Sequence, residues 1–176
     1  MATTAAGTPY VESSDLVANY PGVSLALADH IDGLDGGKVL QVVYASTSTN
    51  VTTTSASFVD TGLSASITPS ATTSKVIILV TQQFLVNRTG TTALGRLQIV
   101  RNSTSIIQGQ AEQFGIYKSV SSDLGIRGIV AMNYQDSPST TSATTYKTQF
   151  YSDGAATLIT QYASNPSTII LMEIAA

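Results

Sequence analysis

Ser167-Thr168-Ile169-Ile170-Leu171-Met172-Glu173-Ile174 is the stretch whose reading decides the fold. The last residues of a chain are ordinarily frayed and polar unless something ties them down. Here they are apolar and strand-like, which predicts a strand held inside a β-sheet. Nothing in the run spells out a reaction.

Upstream, apolar runs of similar length recur between turn signals. Ser164-Asn165-Pro166 separates the final strand from Thr157 to Tyr162, and Ser152-Asp153-Gly154 separates that run from Thr144 to Tyr151. Further strands are predicted over Ile126 to Tyr134, Ser105 to Gln110, Leu94 to Val100 and Lys75 to Val86, with Arg101-Asn102-Ser103-Thr104 as a turn. Phe58-Val59-Asp60 and Leu63 to Ile67 flank a turn at Thr61-Gly62, and Lys38 to Tyr44 is the first strand. Roughly eight to ten short strands at this spacing, with one helical pattern, predict an all-β chain built as an antiparallel β-sandwich.

Two runs break the alternation: Val76-Ile77-Ile78-Leu79-Val80 and Ile169-Ile170-Leu171-Met172. A strand of an antiparallel sandwich turns one face to the core and the other to water. Continuous apolar runs therefore predict cover on both faces. Loops of the same chain could supply that cover, and so could another subunit. The second is the reading taken, most simply a threefold arrangement with these strands near the axis.

The N-terminal part has a different character. Residues 1–9 read as a flexible arm. Asn19-Tyr20-Pro21-Gly22 is a turn with proline placed for a helix start, Val23 to Asp32 reads as a short helix, and Gly33 is suited to end it. Tyr20, Val23, Leu27, His30 and Leu34 alternate three- and four-residue spacings, a minimal heptad seam. So short a helix is marginal alone and must pack on something. Asp35-Gly36-Gly37 is hinge-like, which divides the chain into a segment 1–37 and a sandwich 38–176.

Composition narrows the function. Only 11% of the 176 residues are charged, less than half the roughly 25% usual for soluble domains. Ser and Thr, roughly a quarter of all positions, fill the difference. A surface so poor in charge suits a subunit of a larger assembly better than a free monomer. The eight Lys and Arg are scattered singly and the net charge is −3, so the clustered positive charge that binds phosphate backbones is missing and no nucleic-acid partner is expected. There is no cysteine, hence neither disulfide nor thiolate metal site. No secretory leader is visible at Met1 to Thr8. No apolar run approaches the roughly 18 residues of a membrane helix, so membrane insertion is not expected. The N-x-S/T matches at Asn50, Asn87 and Asn102 are expected by chance in a chain so rich in Ser and Thr.

Candidate chemistry is sparse. The single histidine, His30, sits in Asp29-His30-Ile31-Asp32-Gly33-Leu34-Asp35. Those aspartates recur every third position, whereas a calcium loop places them at every second one; a solvated helix face with a seam histidine is the better reading. A glycosidase needs two converging carboxylates. Glu112, Asp123, Asp136, Asp153 and Glu173 occur singly in turns or at strand ends, and no pair can be picked among them. Tyr117, Tyr134, Tyr146, Phe150, Tyr151 and Tyr162 could stack on sugar faces, but packing in a core or interface explains them equally well. No cofactor or metal is expected.

With those residues in view, two stretches carry a resemblance. Thr8-Pro9-Tyr10-Val11-Glu12-Ser13-Ser14-Asp15-Leu16, running on through Tyr20-Pro21 to Leu25-Ala26-Leu27-Ala28-Asp29-His30-Ile31-Asp32, looks like the segment preceding the distal module of a phage fibre. Thr145-Tyr146-Lys147-Thr148-Gln149-Phe150 and Ser167 to Ile174 are similar to the C-terminal strands of phage β-sandwich modules. The chain as a whole resembles virion structural proteins of tailed bacteriophages of the cyanophage or marine-phage type: short fibres, appendages and decoration proteins.

That resemblance implies a non-enzymatic homotrimer located in the virion, assembled in the bacterial host cytoplasm. Its partners would be other virion proteins of tail or capsid, and a host surface glycan. It implies an attachment and trimerisation segment, for which Tyr10, Leu16, Tyr20, Val23, Leu27, Ile31 and Leu34 are the candidates, and a jelly-roll-like head. Val76, Ile78, Val80, Ile170 and Met172 are the oligomerisation candidates within the head. The chain lacks the shaft repeat of long fibres, so a short spike, head fibre or capsid decoration protein fits its length better. A small polysaccharide depolymerase, using Glu112, Asp136 or Asp153, is the competing class, and a cell-surface lectin module is a third.

Overall fold

Thr, Val, Ile and Tyr favour pleated backbone, and they dominate the segments that form strands. The computed structural model describes residues 2–3, 9–10, 39–110, 113, 116–153 and 156–175. The chain divides into two units, residues 1–38 with 175–176, and residues 39–174. In the first, β1 (Ala2–Thr3) pairs antiparallel with β2 (Pro9–Tyr10), Ala2 opposite Tyr10. The helix expected over Val23 to Asp32 and the seam from Tyr20 to Leu34 lie outside the described residues.

The second unit holds β3 (Val39–Thr47), β4 (Val51–Thr53), β5 (Val59–Ile67), β6 (Lys75–Ala93), β7 (Gly95–Arg101), β8 (Thr104–Gln108), β9 (Ile116–Asp136), β10 (Thr144–Ser152), β11 (Thr157–Thr160) and β12 (Ser167–Ile174). A four-stranded sheet runs β5-β10-β7-β8, and a six-stranded sheet joins β3, β12, β6, β11, β4 and β9. Every pairing is antiparallel.

The six strands make four rows. β9 pairs with β6 from Val76 to Ala93, occupying one side of it. β12 and β11 must then share the other side, β12 beside Lys75 to Thr81 and β11 beside Phe84 to Asn87. β3 and β4 flank β12 and β11 in turn. Across the rows the order is β3/β4, β12/β11, β6, β9. Numbering the eight principal strands by chain order, this sheet reads first, eighth, third, sixth, and its partner sheet reads second, seventh, fourth, fifth. That is the strand order of a jelly roll, two Greek keys folded face to face. The all-β sandwich expected from the sequence is what forms.

Alternation places the core. In β10 and β12 every second side chain is buried, beginning with the first. Leu63, Ile67, Val76, Ile78, Val80, Leu97, Ile99, Tyr146, Phe150, Ile169 and Leu171 meet between the sheets, each at most 1% exposed. The turn expected at Thr61-Gly62 is instead an irregularity inside one strand. Gly62 has φ of 82°, and the register on β10 shifts between Lys147 and Gln149. Glycine takes that left-handed conformation without penalty, so the strand bulges where a turn would have ended it. β6 and β9 run further than Val86 and Ile126, the limits their polar flanks suggest.

Gly128 has a packing reason. A Cβ on it would stand 2.8 Å from the ring of Phe84, its direct cross-strand neighbour, so the ring occupies the space that a side chain would need. Phe150 is a fully buried member of the core. Replacing it with alanine is expected to lower the unfolding free energy by about 3–5 kcal/mol, read as a shifted urea midpoint; a change below about 1 kcal/mol would show that the two sheets do not close over it.

Candidate functional site

A polar circuit links the two sheets through the core. Thr148 of β10 donates its hydroxyl to Gln82 Oε1 of β6 at 3.0 Å. Its proton is thereby committed, so Thr61 must be the donor in the short Thr61–Thr148 hydroxyl pair. Gln82 Nε2 donates to Ser167 Oγ at 2.8 Å, which also accepts from the Gln83 N–H at 2.9 Å. With its carboxamide oriented to satisfy both ends, Gln161 accepts from Ser167 Oγ at 3.0 Å and Gln82 Nε2 at 2.6 Å, and its Nε2 reaches the Thr61 carbonyl at 3.1 Å. The hydrogen bonds thus return to the residue where they start. Thr61, Gln82, Thr148, Gln161 and Ser167 are all fully enclosed. In so dry a place each group must be paired, and here each is.

The carboxylates named from the sequence do not converge. Asp136, at the end of β9, accepts from Arg101 Nη1 at 2.9 Å and from the Tyr146 hydroxyl at 2.7 Å. Arg101 and Tyr146 belong to the opposite sheet, so Asp136 is a second tie between sheets. Burial, and then the hydrogen bond to Asp136, push the Tyr146 phenol above its usual range. Asp153 accepts from the Leu94 N–H at 3.1 Å and holds a loop. Glu173 points inward from β12 and accepts from both the backbone N–H and the hydroxyl of Ser70, each at 2.6 Å. Burial works to raise its pKa, but the Ser70 hydrogen bonds outweigh that and hold the carboxyl below the ordinary glutamate range. Glu112 lies outside the described residues, and the Asp123 side chain is not among those described. His30 and its neighbouring aspartates also lie outside them.

The aromatic residues separate into two groups. Tyr146 and Phe150 are core residues, and Tyr134 packs against the core. Tyr151 stands half-buried on the outer face of the four-stranded sheet, 5.7 Å from the ring of Phe58 and with the Arg96 guanidinium 4.9 Å from its ring centre. Tyr162 carries the Arg127 guanidinium over its ring at 4.5 Å. The Tyr117 side chain is not among those described. Beside Tyr151 a polar ladder crosses the sheet: Ser105 donates to Gln98 at 2.9 Å, Gln98 to Gln149 at 2.7 Å, and Gln149 to Asp60 at 2.7 Å, with Lys147 on Asp60 at 2.8 Å.

The outer face of the six-stranded sheet has the opposite character. Its cross-strand rows read Val42–Met172–Ile77–Gln135, Tyr44–Ile170–Leu79–Asn133 and Ser46–Thr168–Thr81–Ala131. Twelve positions carry no charge, and the first two rows are apolar across three strands. Ile77, Leu79, Ile170 and Met172 are half-buried there, whereas Val42 and Tyr44 are 58% and 61% exposed. Among the oligomerisation candidates, Ile170 and Met172 therefore face outward. Val76, Ile78 and Val80 face the other sheet and are core; the outward members of that run are Ile77 and Leu79, which the unbroken apolar stretch did not distinguish. Tyr10 lies in β2, its side chain not described, and Leu16, Tyr20, Val23, Leu27, Ile31 and Leu34 lie outside the described residues.

Two substitutions read these arrangements. Thr148→Val strands the Thr61 hydroxyl and Gln82 Oε1 in the core and is expected to cost about 1–3 kcal/mol; an unchanged urea midpoint would mean the circuit is not closed. For Glu173 the folded pKa lies below the unfolded one. Its contribution is therefore present above the ordinary value of 4.5 and lost as pH falls through the folded pKa. Unfolding free energy measured from pH 7 down to pH 3 should show that loss, and Glu173→Gln should flatten the acid limb. A limb of unchanged slope would remove Glu173 from the account.

No protein-family model and no curated protein sequence matches the chain. Among solved structures it is similar to the T13 particle of infectious bursal disease virus, with 15% identity, a TM-score of 0.32, and cover of 79% of this chain and 37% of that one. The Gx strain of the same virus gives 16% identity, a TM-score of 0.30, and cover of 77% and 38%. The VP2 subviral particle gives 13% identity, a TM-score of 0.31, and cover of 79% and 39%. The chain spans less than two-fifths of the length of each of these chains.

Proposed function

We propose that the protein is a non-enzymatic structural component of a bacteriophage particle, a homotrimeric short tail fibre or fibre-like appendage. In this reading residues 1–37 attach to the particle and the jelly roll is the outward head. The observation that carries it is the set of three uncharged cross-strand rows on the outer face of the six-stranded sheet, where Ile77, Leu79, Ile170 and Met172 form an apolar centre. Water disfavours such a face, and exposed apolar patches of this kind mark contacts with other proteins. The low charge of the whole chain agrees with a life inside an assembly. Host-surface glycan contact falls in this reading to Tyr151 and Tyr162, which among the sugar-stacking candidates are the described side chains not packed in or against the core.

Capsid decoration is the second reading, for which the same uncharged outward rows would lie against a capsid surface. Antibody-gold labelling of purified particles separates the two: label on tails supports the fibre, label on capsids supports decoration, and no label on either removes both. Light scattering should give three times the 18.3 kDa chain mass at micromolar concentration. A mass of one chain would end the trimer.

A further inference from the structure

The large apolar side chains left exposed among the described residues are Val39, Leu40, Val42 and Tyr44, and Leu124, Ile126 and Ile129. The first four are on β3 and the other three on β9. These strands are the outermost rows of the same sheet, β3 pairing only with β12 and β9 only with β6 among the described residues. Each therefore presents an unpaired row of backbone N–H and C=O groups beside an apolar surface.

Natural edge strands are usually blunted by lysine, proline or inward charge, because an open edge invites another strand. From Leu124 to Asp136, β9 contains no lysine and no proline. The two charges of that stretch are already engaged, Arg127 over Tyr162 and Asp136 with Arg101, and the other two of the strand, Lys118 and Asp123, precede it. β3 contains no charge at all. Successive rows are antiparallel, so β3 and β9 run in opposite directions. A second copy, placed beside the first in the same orientation, would thus bring its β3 antiparallel to the first copy's β9. The absence of charge along β3 leaves nothing to repel a partner edge that also exposes large apolar side chains. The other edge of this very sheet is one.

We propose that β3 of one copy docks along β9 of the next, joining the six-stranded sheets edge to edge in a head-to-tail contact between copies of this chain. The proposal deepens the reading of the protein as a self-assembling particle component and rests on it for the trimer. A head-to-tail contact uses two different surfaces, so it generates a ring when the rotation closes. Three copies in a ring leave no unpaired edge in that sheet.

Because the chain lacks cysteine, single cysteines report cleanly. The four rows stand about 4.8 Å apart, which puts the two edges of one sheet roughly 14 Å from each other. Tyr44→Cys and Asn133→Cys, which occupy one cross-strand row on the same face of the sheet, are made separately in the full chain, then co-expressed, and treated with a bismaleimide shorter than that span. The expected result is a covalently linked pair of chains from the co-expressed sample and none above background from either variant alone. Links within a single variant would mean a two-fold, like-to-like contact and overturn the proposal. So would no link in the mixture, whether the chain is then oligomeric or solitary, provided that circular dichroism shows both variants folded and a monofunctional maleimide labels both when unfolded. Linking by the mixture with no label on particles would sink the virion reading and leave the edge contact standing; gold-labelled particles without linking would do the reverse.

Discussion

The closed run of hydrogen bonds through Gln82 is the constraint on which the sandwich depends. Apolar side chains between two sheets resist exposure, but they do not resist sliding. A slip of two residues keeps every strand's inward set inward, and an alternation as regular as that of β10 would tolerate it. The circuit would not. Gln82, Thr148, Thr61, Ser167 and Gln161 come from both sheets and from the turn after β11, and their donors and acceptors match in one arrangement. Any slip buries unpaired amides and hydroxyls, each costing about 1–3 kcal/mol. Asp136 fixes a second point. It lies six residues along β9 from the position opposite Gln82, about 20 Å away, and ties the same two sheets through Tyr146 and Arg101. Two ties so far apart set the angle of the sheets as well as their offset.

How much of this was legible follows from what each feature rests on. The bounds of the last strand, Ser167 to Ile174, are readable because a turn precedes them and the run is continuous. β10 is readable from its strict alternation, and the turn at Asn102-Ser103 from its residue types. By contrast, Thr61-Gly62 has turn chemistry yet sits within a strand, because pairing to β10 on one side holds the backbone extended around a single left-handed glycine. Polarity at Asn87-Arg88-Thr89-Gly90 hides the continuation of β6, which tertiary pairing with β9 supplies. The inward polar residues Gln82, Ser167 and Glu173 could not be picked out either. Pattern reading assigns polar side chains to the wet face, and only their distant partners, Thr148, Gln161 and Ser70, make burial tolerable. For the same reason Val76 to Val80 announces cover on both faces without saying which members look outward.

The two faces of the molecule divide its physical roles. On the four-stranded sheet, polar groups bond to one another laterally from Ser105 to Asp60, leaving a hydrated surface with Tyr151 at its margin. On the six-stranded sheet two outward rows are apolar across three strands and carry no charge. The asymmetry leaves one surface that can stay in water and one that is better covered. The carboxylates, which are the natural candidates for chemistry, are spread over separate structural ties at Asp136, Asp153 and Glu173.

The pairing of β3 with β12 has a consequence for synthesis. Val39 to Thr47 leaves the ribosome long before Ser167 to Ile174 exists, and β12 is its ladder partner. At about 5–20 residues per second, the earlier strand waits on the order of ten seconds with its ladder open and the inward Val43 and Ala45 uncovered. Closing a ladder across so much intervening chain is entropically slow as well. Nascent chains crowded on one message would therefore meet one another at their stickiest segment, and a holding chaperone, or slower growth at lower temperature, is what would carry them through that interval.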